Sequence, residues 1–147
     1  MVKISLFFIL FFLATPAFAL DNPRGLGIIL GGPSAIVGQV HSNDGNDWQG
    51  ALSWNTGNFA LHVHADRIWN HSSEVKTQYG NLNGYFGVGA VLQLGGSVKI
   101  GARAPFGVKF KVNSAPVLVF LEIAPVFYVS PGIAFDTQQG LGVYYLF

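Results

Sequence analysis

The sequence lacks cysteine and carries little charge. With no cysteine among its 147 residues, it has no disulfide framework and no thiolate metal site. Charged residues make up 10% of the chain, against about a quarter in soluble domains, whereas 50% of the residues are hydrophobic. Eight Lys and Arg face seven Asp and Glu, so the basic excess typical of nucleic-acid binding is missing.

Long hydrophobic runs are also missing after the N-terminus. No later segment approaches the roughly 18 continuous apolar residues of a transmembrane helix. Gly, Pro, Asn and Asp instead interrupt alternating stretches at the spacing of antiparallel hairpins. A transmembrane β-barrel, whose lipid face takes every second residue, reconciles low charge with short apolar runs.

The N-terminus has the pattern of a secretory signal peptide. Lys3 precedes an apolar run over 4–13, and Ala17 and Ala19 form an A-x-A cleavage site. The run is too short for a stable membrane anchor, which is the alternative. We therefore expect residues 1–19 to be cleaved and residues 20–147 to form one domain.

The alternation predicts an all-β fold, a closed up-and-down antiparallel barrel of eight transmembrane strands. On the third strand, Trp48 and Trp54 share an outward face at the two membrane interfaces. Loops are expected over 70–83 and from Ser130 to about Gln139. The predicted strands are 24–31, 35–42, 48–55, 58–69, 84–95, 97–111, 116–129 and 139–147.

The last strand has an entirely apolar face, formed by Leu141, Val143, Tyr145 and Phe147. A free edge this apolar invites aggregation, whereas a closed barrel pairs its last strand with its first. The pattern resembles the C-terminal assembly signal of bacterial outer-membrane barrels. The resemblance implies recognition by the barrel-assembly machinery.

On the fourth strand, the polar residues lie on one face and the apolar residues on the other. His62, His64 and Asp66 alternate along the strand, a spacing that fits either a metal site or a hydrogen-bonded network inside the barrel. The network is the preferred interpretation, because a metal site needs further ligands that the sequence does not assign. No cofactor is expected.

Charges on the sixth and seventh strands are expected to point inward. Glu122 lies within diagonal reach of Arg103 or Lys109 across the predicted hairpin, which predicts a buried ion pair with a structural role. Pro105 and Pro125 predict a break in the ladder at one height. The predicted interior network comprises His62, His64, Asp66, Lys99, Arg103, Lys109 and Glu122.

Several stretches resemble a family of small bacterial outer-membrane barrels of uncharacterised function, known from spirochaetes. The resemblance implies an eight-stranded barrel in the outer membrane, in contact with its lipid, and it supplies no catalytic residues. The similar stretches are Leu61-His62-Val63-His64-Ala65-Asp66, Tyr85-Phe86-Gly87-Val88-Gly89, Val119-Phe120-Leu121-Glu122-Ile123-Ala124-Pro125 and the final Tyr-Tyr-Leu-Phe.

Three functions are open from the sequence. The first is a structural or surface-interaction barrel with a filled polar interior and no catalysis. The second is a soluble periplasmic barrel with inverted faces that binds an apolar ligand. The third is a membrane-embedded lipid-modifying enzyme, which would need a nucleophile and a base that no motif identifies.

Overall fold

The structure, a computed structural model, describes residues 24–55 and 60–147. The predicted signal peptide, with Ala17 and Ala19, lies outside these residues. Within them, no helix is long and apolar enough to cross a membrane. The strands are β1 Arg24–Gly32, β2 Ala35–His41, β3 Asp47–Asn55, β4 Ala60–Asn70, β5 Val75–Lys76, β6 Gly80–Leu94, β7 Lys99–Arg103, β8 Phe106–Val112, β9 Val117–Ser130 and β10 Ala134–Leu146.

The sheet closes on itself as an eight-stranded antiparallel barrel, which confirms the predicted fold class. Each wall strand pairs with its neighbours in the chain, and β10 closes the wall by pairing with β1, from Gly25 opposite Leu146 to Gly32 opposite Gln139. β7 and β8 together form one wall strand between β6 and β9. The two-residue β5 pairs only with β6.

The wall strands are staggered, so the barrel has a definite tilt. Following the paired residues from strand to strand around the wall, starting at Leu26, leads to Phe135 on β10. Leu26 itself pairs with Tyr145, which lies ten residues further along β10 (145 − 135). A stagger of this kind tilts strands by about 35–45° in closed barrels. The row passes through Gly38, Gly50, Ala65, Ala90, Ala102 and Phe127.

The predicted break in the ladder lies at Ala104 and Pro105, between β7 and β8. The Pro105 carbonyl accepts the Gly87 amide at 2.7 Å, and the Pro125 carbonyl accepts the Ala104 amide at 3.0 Å. A proline nitrogen carries no hydrogen, so neither Pro105 nor Pro125 can donate a backbone hydrogen bond to the residue opposite it. Pro125 nevertheless lies within β9, so only one of the two wall strands is interrupted.

The two faces of the wall alternate in chemistry along every strand. Apolar side chains such as Leu26, Ile28 and Leu30 on β1 are more than half exposed outside the barrel. Inward positions carry polar groups, glycines and two clusters of buried apolar and aromatic side chains. Gly142 makes room for the Phe120 ring, because a Cβ there would lie 2.2 Å from Phe120 Cζ.

Two strand boundaries differ from the sequence prediction. β6 begins at Gly80, and the short β5 occupies part of the loop that was expected over 70–83. β10 begins at Ala134 rather than at 139, because the polar residues after Phe135 continue the alternation, with Gln138 buried inside. The polar composition of residues 134–138 predicts a loop, and this prediction is wrong because polar side chains also occupy interior positions of this barrel.

The barrel has two ends, which we call the near end and the far end. The near end holds Arg24 and Phe147, whose backbones bond to each other at 3.0 and 2.8 Å. Its strand connections are at 42–46, 71–79 and 113–116, and the first two are the longest among the described residues. The far end holds the short connections at 33–34, 95–98 and 131–133, and the connection at 56–59 lies outside the described residues.

Candidate functional site: the barrel interior

The centre of the interior is built around the Glu122 carboxylate. β9 presents Glu122 opposite Gly107 on β8, and an added Cβ at Gly107 would lie 1.9 Å from the Leu121 carbonyl oxygen, so the glycine allows the two backbones to approach closely. Arg103 donates from Nη2 to Oε1 at 2.5 Å, while the Tyr85 hydroxyl and Gln49 Nε2 donate to Oε2 at 2.8 and 2.9 Å. Of the two partners that the sequence left open for Glu122, Arg103 and Lys109, the structure has Arg103, although it pairs with Val126 across the wall and is not the diagonal neighbour of Glu122.

Arg103 also faces a second carboxylate. Its Nε lies 3.5 Å from Asp66 Oδ1, and both side chains are almost fully buried. The other Asp66 oxygen bonds to His64 Nδ1 at 2.9 Å. Arg103 therefore lies between two carboxylates from different strands and hydrogen-bonds to Glu122, whereas its Nε and Asp66 Oδ1 have no hydrogen-bond partner within the described residues.

A second cluster, toward the near end, is built around Lys109. Lys109 Nζ lies 2.8 Å from Asp47 Oδ2, and it reaches Gln39 Oε1 at 3.4 Å and Asn70 Oδ1 at 3.5 Å. Asp47 uses its other oxygen to bond His41 Nδ1 at 2.7 Å. The buried lysine is thereby neutralised by a carboxylate that is itself 1% exposed.

Tyr85 joins the two clusters. Its ring lies below the Lys109 ammonium, with Nζ 4.7 Å from the ring centroid, while its hydroxyl bonds to Glu122. Tyr85, Gln49 and Asp47 were absent from the network predicted from the sequence. All three residues lie at inward positions of the alternation on β3 and β6, which is the signal that the sequence offers. Asp47, however, falls between two predicted strands, and Gln49 and Tyr85 carry no charge.

Two predicted members of the network lie apart from these clusters. His62 bonds through Nε2 to Gln138 Nε2 at 2.8 Å, near the far end. Lys99 lies with Nζ 5.8 Å from the centroid of the Tyr128 ring, and it has no ion pair within residues 24–55 and 60–147. In that same part of the chain, no group of three His, Asp or Glu side chains is arranged to hold a metal ion.

The open space in the interior is concentrated at the two ends. A cavity of about 260 Å³ opens at the near end, between Lys109, Lys111 and Glu74 among others. A cavity of about 410 Å³ opens at the far end, beside His62, Tyr128 and Asp136. A third cavity, which Arg103 and Glu122 help to line, has a volume of only about 20 Å³.

One charged cluster lies on the outer wall, close to the near end. The Arg67 guanidinium contacts Asp44 in the 42–46 connection and covers the Trp48 ring, with Cζ 4.9 Å from the centroid. Desolvation opposes the shift, but a hydrogen bond from the Asn46 amide and the charge of Arg67 hold the pKa of Asp44 below its ordinary value. The Arg67 side chain, which lies on the outward face, therefore extends toward the near-end rim of the barrel.

Two solved structures are similar to this barrel. The crystal structure of the N-terminal β-barrel domain of Pseudomonas aeruginosa OprF has a TM-score of 0.57 and 13% identity, over 86% of this chain and 96% of that chain. The crystal structure of Neisserial surface protein A has a TM-score of 0.51 and 16% identity, over 86% and 94%. At these identities the similarity shows the fold alone. No protein-family model and no curated protein sequence matches the chain.

Proposed function

We propose that the protein is an integral outer-membrane β-barrel whose interior is closed by its charged side chains. Its role is structural or one of surface interaction, and it is not an enzyme. The two barrels that it resembles in fold are outer-membrane proteins. The resemblance to spirochaete barrels in the sequence is part of this proposal.

The observation that carries the proposal is the opposite chemistry of the two faces. Among the outward positions of the described wall strands, only Arg24 and Arg67 are charged, and both lie toward the near end. A Lys or Arg at the bilayer midplane of a barrel costs about 2–4 kcal/mol, so an outer wall without charges at mid-height suits lipid. Water would leave this much apolar surface exposed and prone to aggregation.

The outward tryptophans support the same placement. Trp48 and Trp54 are 55% and 56% exposed on one strand, toward opposite ends of the barrel. Indole rings concentrate at the two membrane–water interfaces, where an amphipathic ring is favoured. The outer wall therefore has an apolar middle bounded by aromatics.

Closure of the interior follows from the central pairs. An ion that crosses the barrel must displace Arg103 from Glu122 and Asp66, and eight strands enclose little space beyond their own side chains. Breaking such a buried pair leaves an unpaired charge, which costs several kcal/mol. We expect little conductance from the resting barrel.

Assembly is the step for which the last strand is suited. Leu141, Val143, Tyr145 and Phe147 are all more than 40% exposed on the outer face of β10. The same strand closes the wall against β1. We propose that the barrel-assembly machinery recognises this face before closure, after export directed by residues 1–19.

The two other functions have less support. A soluble barrel with inverted faces requires an apolar lumen, whereas the charged Arg103, Lys109 and Glu122 are buried inside. A lipid-modifying enzyme requires an activated nucleophile. Within the described residues, the buried Ser53 hydroxyl donates to the His62 carbonyl at 3.4 Å and not to an imidazole nitrogen.

The proposal is tested by the gel mobility of the full chain, extracted with detergent from bacterial outer membranes, before and after boiling. We expect the protein in the membrane fraction and a different mobility when unboiled, because a closed barrel resists the detergent. A variant without residues 134–147 cannot close against β1 and should lose the difference. Recovery of the full chain in the soluble periplasmic fraction, with one mobility, would refute the proposal.

A further inference from the structure

The outer wall of the barrel is not equally tall on all sides. β2 has 7 residues, whereas β6 has 15. At ~3.3 Å per residue and with strands tilted by about 35–45°, β2 covers about 18 Å of height and β6 about 38 Å. The apolar band of outer-membrane barrels is about 25 Å tall, so β2 falls short of it and β6 exceeds it. We call β1 and β2 the short wall, and β6 the tall wall.

The height of the short wall is fixed, because the chain turns at both ends of β2. At the far end, the Gly31 amide donates to Ser34 Oγ at 3.3 Å. At the near end, the Ser42 amide donates to the Asn46 carbonyl at 2.7 Å, and the Gly45 amide donates back to the Ser42 carbonyl at 3.1 Å. These closed connections prevent β2 from extending further in either direction.

Outward polar side chains mark the upper and lower limits of the short wall. Arg24 faces outward at the near end of β1, opposite Val40. Gln139 of β10 is exposed on the outer face at the far end, opposite Gly32, the last residue of β1. Arg24 and Gly32 are eight residues apart (32 − 24), so the two polar levels are separated by about 20 Å of height. The outward positions between these levels are Leu26, Ile28, Leu30, Ile36 and Gly38.

The tall wall is apolar over a much greater height. Its outward positions are Leu82, Gly84, Phe86, Val88, Ala90, Leu92 and Leu94. At the near end, β6 extends beyond its pairing with β4, and residues 80–84 pair with β8 instead. At the far end, β10 continues over 134–138 beyond its pairing with β1. The side from β6 to β10 is therefore taller at both ends, and tipping the barrel in the bilayer cannot make the two sides equal.

We propose that the short wall thins the lipid bilayer beside it, so that this side of the barrel contacts lipid of reduced thickness. A surface whose apolar height is less than the thickness of the hydrocarbon layer is matched by local thinning. Arg24 and Gln139 then lie at the level of the lipid headgroups, where a guanidinium and an amide remain hydrated. The inference rests on the proposed placement of the outer wall in lipid.

The test uses spin labels attached one at a time to the refolded full chain, in vesicles of dioleoylphosphatidylcholine and in the thicker vesicles of dierucoylphosphatidylcholine. Ser34 and Ser42 report on the two ends of the short wall. Gly84 and Leu92 are the matched controls on the tall wall, because they have the same spacing of eight residues (42 − 34 and 92 − 84). A label fits at Gly84, since an added Cβ would have its nearest neighbour at 3.9 Å.

We expect a water-soluble nickel complex to reach labels at Ser34 and Ser42 several-fold more readily than labels at Gly84 and Leu92, in both lipids. Either serine carries the test if the other labelled variant fails to fold. Nickel access at Ser34 and Ser42 as low as at Leu92, together with access of lipid-soluble oxygen, would overturn the inference and leave the lipid-facing wall intact.

Two further results would also overturn it. Dipolar broadening between Ser34 labels on different molecules would mean that a second copy, and not thinned lipid, covers the short wall. Nickel access to Gly84 and Leu92 as high as to the two serines would contradict both the inference and the lipid-facing wall on which it rests.

Discussion

At the scale of single residues, the interior depends on pairing rather than on any one charge. Arg103 is 3% exposed and serves two carboxylates, of which Asp66 is 0% exposed and Glu122 is 3% exposed. A buried charge without its partner is strongly destabilising, whereas an apolar replacement of the whole pair is often neutral. The pair therefore specifies the packing of the interior without being a large net source of stability.

Replacing Arg103 alone should destabilise the barrel strongly. We expect Arg103→Met to lower the free energy of unfolding by about 3–5 kcal/mol, because Glu122 and Asp66 lose their cation. The measurement is urea unfolding in lipid vesicles, followed by tryptophan fluorescence. The double variant Arg103→Met with Glu122→Leu should recover much of the loss.

Lys99→Met provides the matched control for Arg103→Met. Lys99 is inward and partly exposed, and it has no ion pair within the described residues, so its loss should change the unfolding free energy by about 1 kcal/mol or less. Equal effects of Arg103→Met and Lys99→Met would contradict the account of a paired interior.

At the scale of strands, inward glycines decide how closely neighbouring side chains pack. Gly142 on β10 lies against Phe120, whose ring stacks on Tyr144 with centroids 4.8 Å apart. Gly38 on β2 faces outward, and a Cβ added there would have a carbonyl oxygen at 3.9 Å as its nearest neighbour. The same substitution therefore meets a filled interior at one strand and open space at the other.

Gly142→Ala should destabilise the barrel, whereas Gly38→Ala should not. The added methyl at 142 forces the Phe120 ring to move, and overpacking of this kind costs about 1–3 kcal/mol. At 38 we expect no loss, and a small gain from the reduced freedom of the unfolded chain. The measurement is the free energy of unfolding of both variants in the same vesicles. An equal loss of stability in the two variants would argue against a packed interior.

Strand boundaries were predictable wherever turn residues bound the alternation. The connection at 42–46, with its Asn-Asp-Gly-Asn sequence, was placed within one residue, and so were the ends of β9. The start of β10 was not predictable in this way. Asp136 and Thr137 have the polar composition of a loop, but both lie on the part of β10 that extends beyond its pairing with β1. That extension follows from the stagger of the whole barrel, which local sequence does not encode.

The candidate site was predictable only in part, for a related reason. The hairpin turn predicts Glu122 opposite Pro105 or Gly107, and the observed partner is Gly107. In this register Lys109 is the diagonal neighbour of Glu122, whereas Arg103 pairs with Val126 and bonds to Glu122 from beyond the break at Pro105, so this contact did not follow from local sequence. Gln49 also contacts Glu122, but it lies four wall strands away, on the opposite side of the barrel, and reaches it across the interior. The contacts of His62 with Gln138 and of Lys109 with Asp47 likewise join strands that only the closed barrel brings together.

At the scale of the whole molecule, we propose that the outer wall faces lipid and the inner wall does not. The absence of cysteine makes this directly measurable, since any introduced cysteine is unique. Along β10, Leu141, Val143 and Tyr145 are exposed outward, whereas Gly140, Gly142 and Tyr144 are buried. Neighbouring residues therefore face different environments.

The most direct measurement is electron paramagnetic resonance of spin labels placed one at a time along β10, with the protein reconstituted in lipid vesicles. We predict that labels at Leu141, Val143 and Tyr145 are accessible to lipid-soluble oxygen and shielded from a water-soluble nickel complex. A label at Gln138, which lies on the inward face toward the far end, should show the reverse preference. Access of the nickel complex to all three outward labels would contradict a lipid-facing wall.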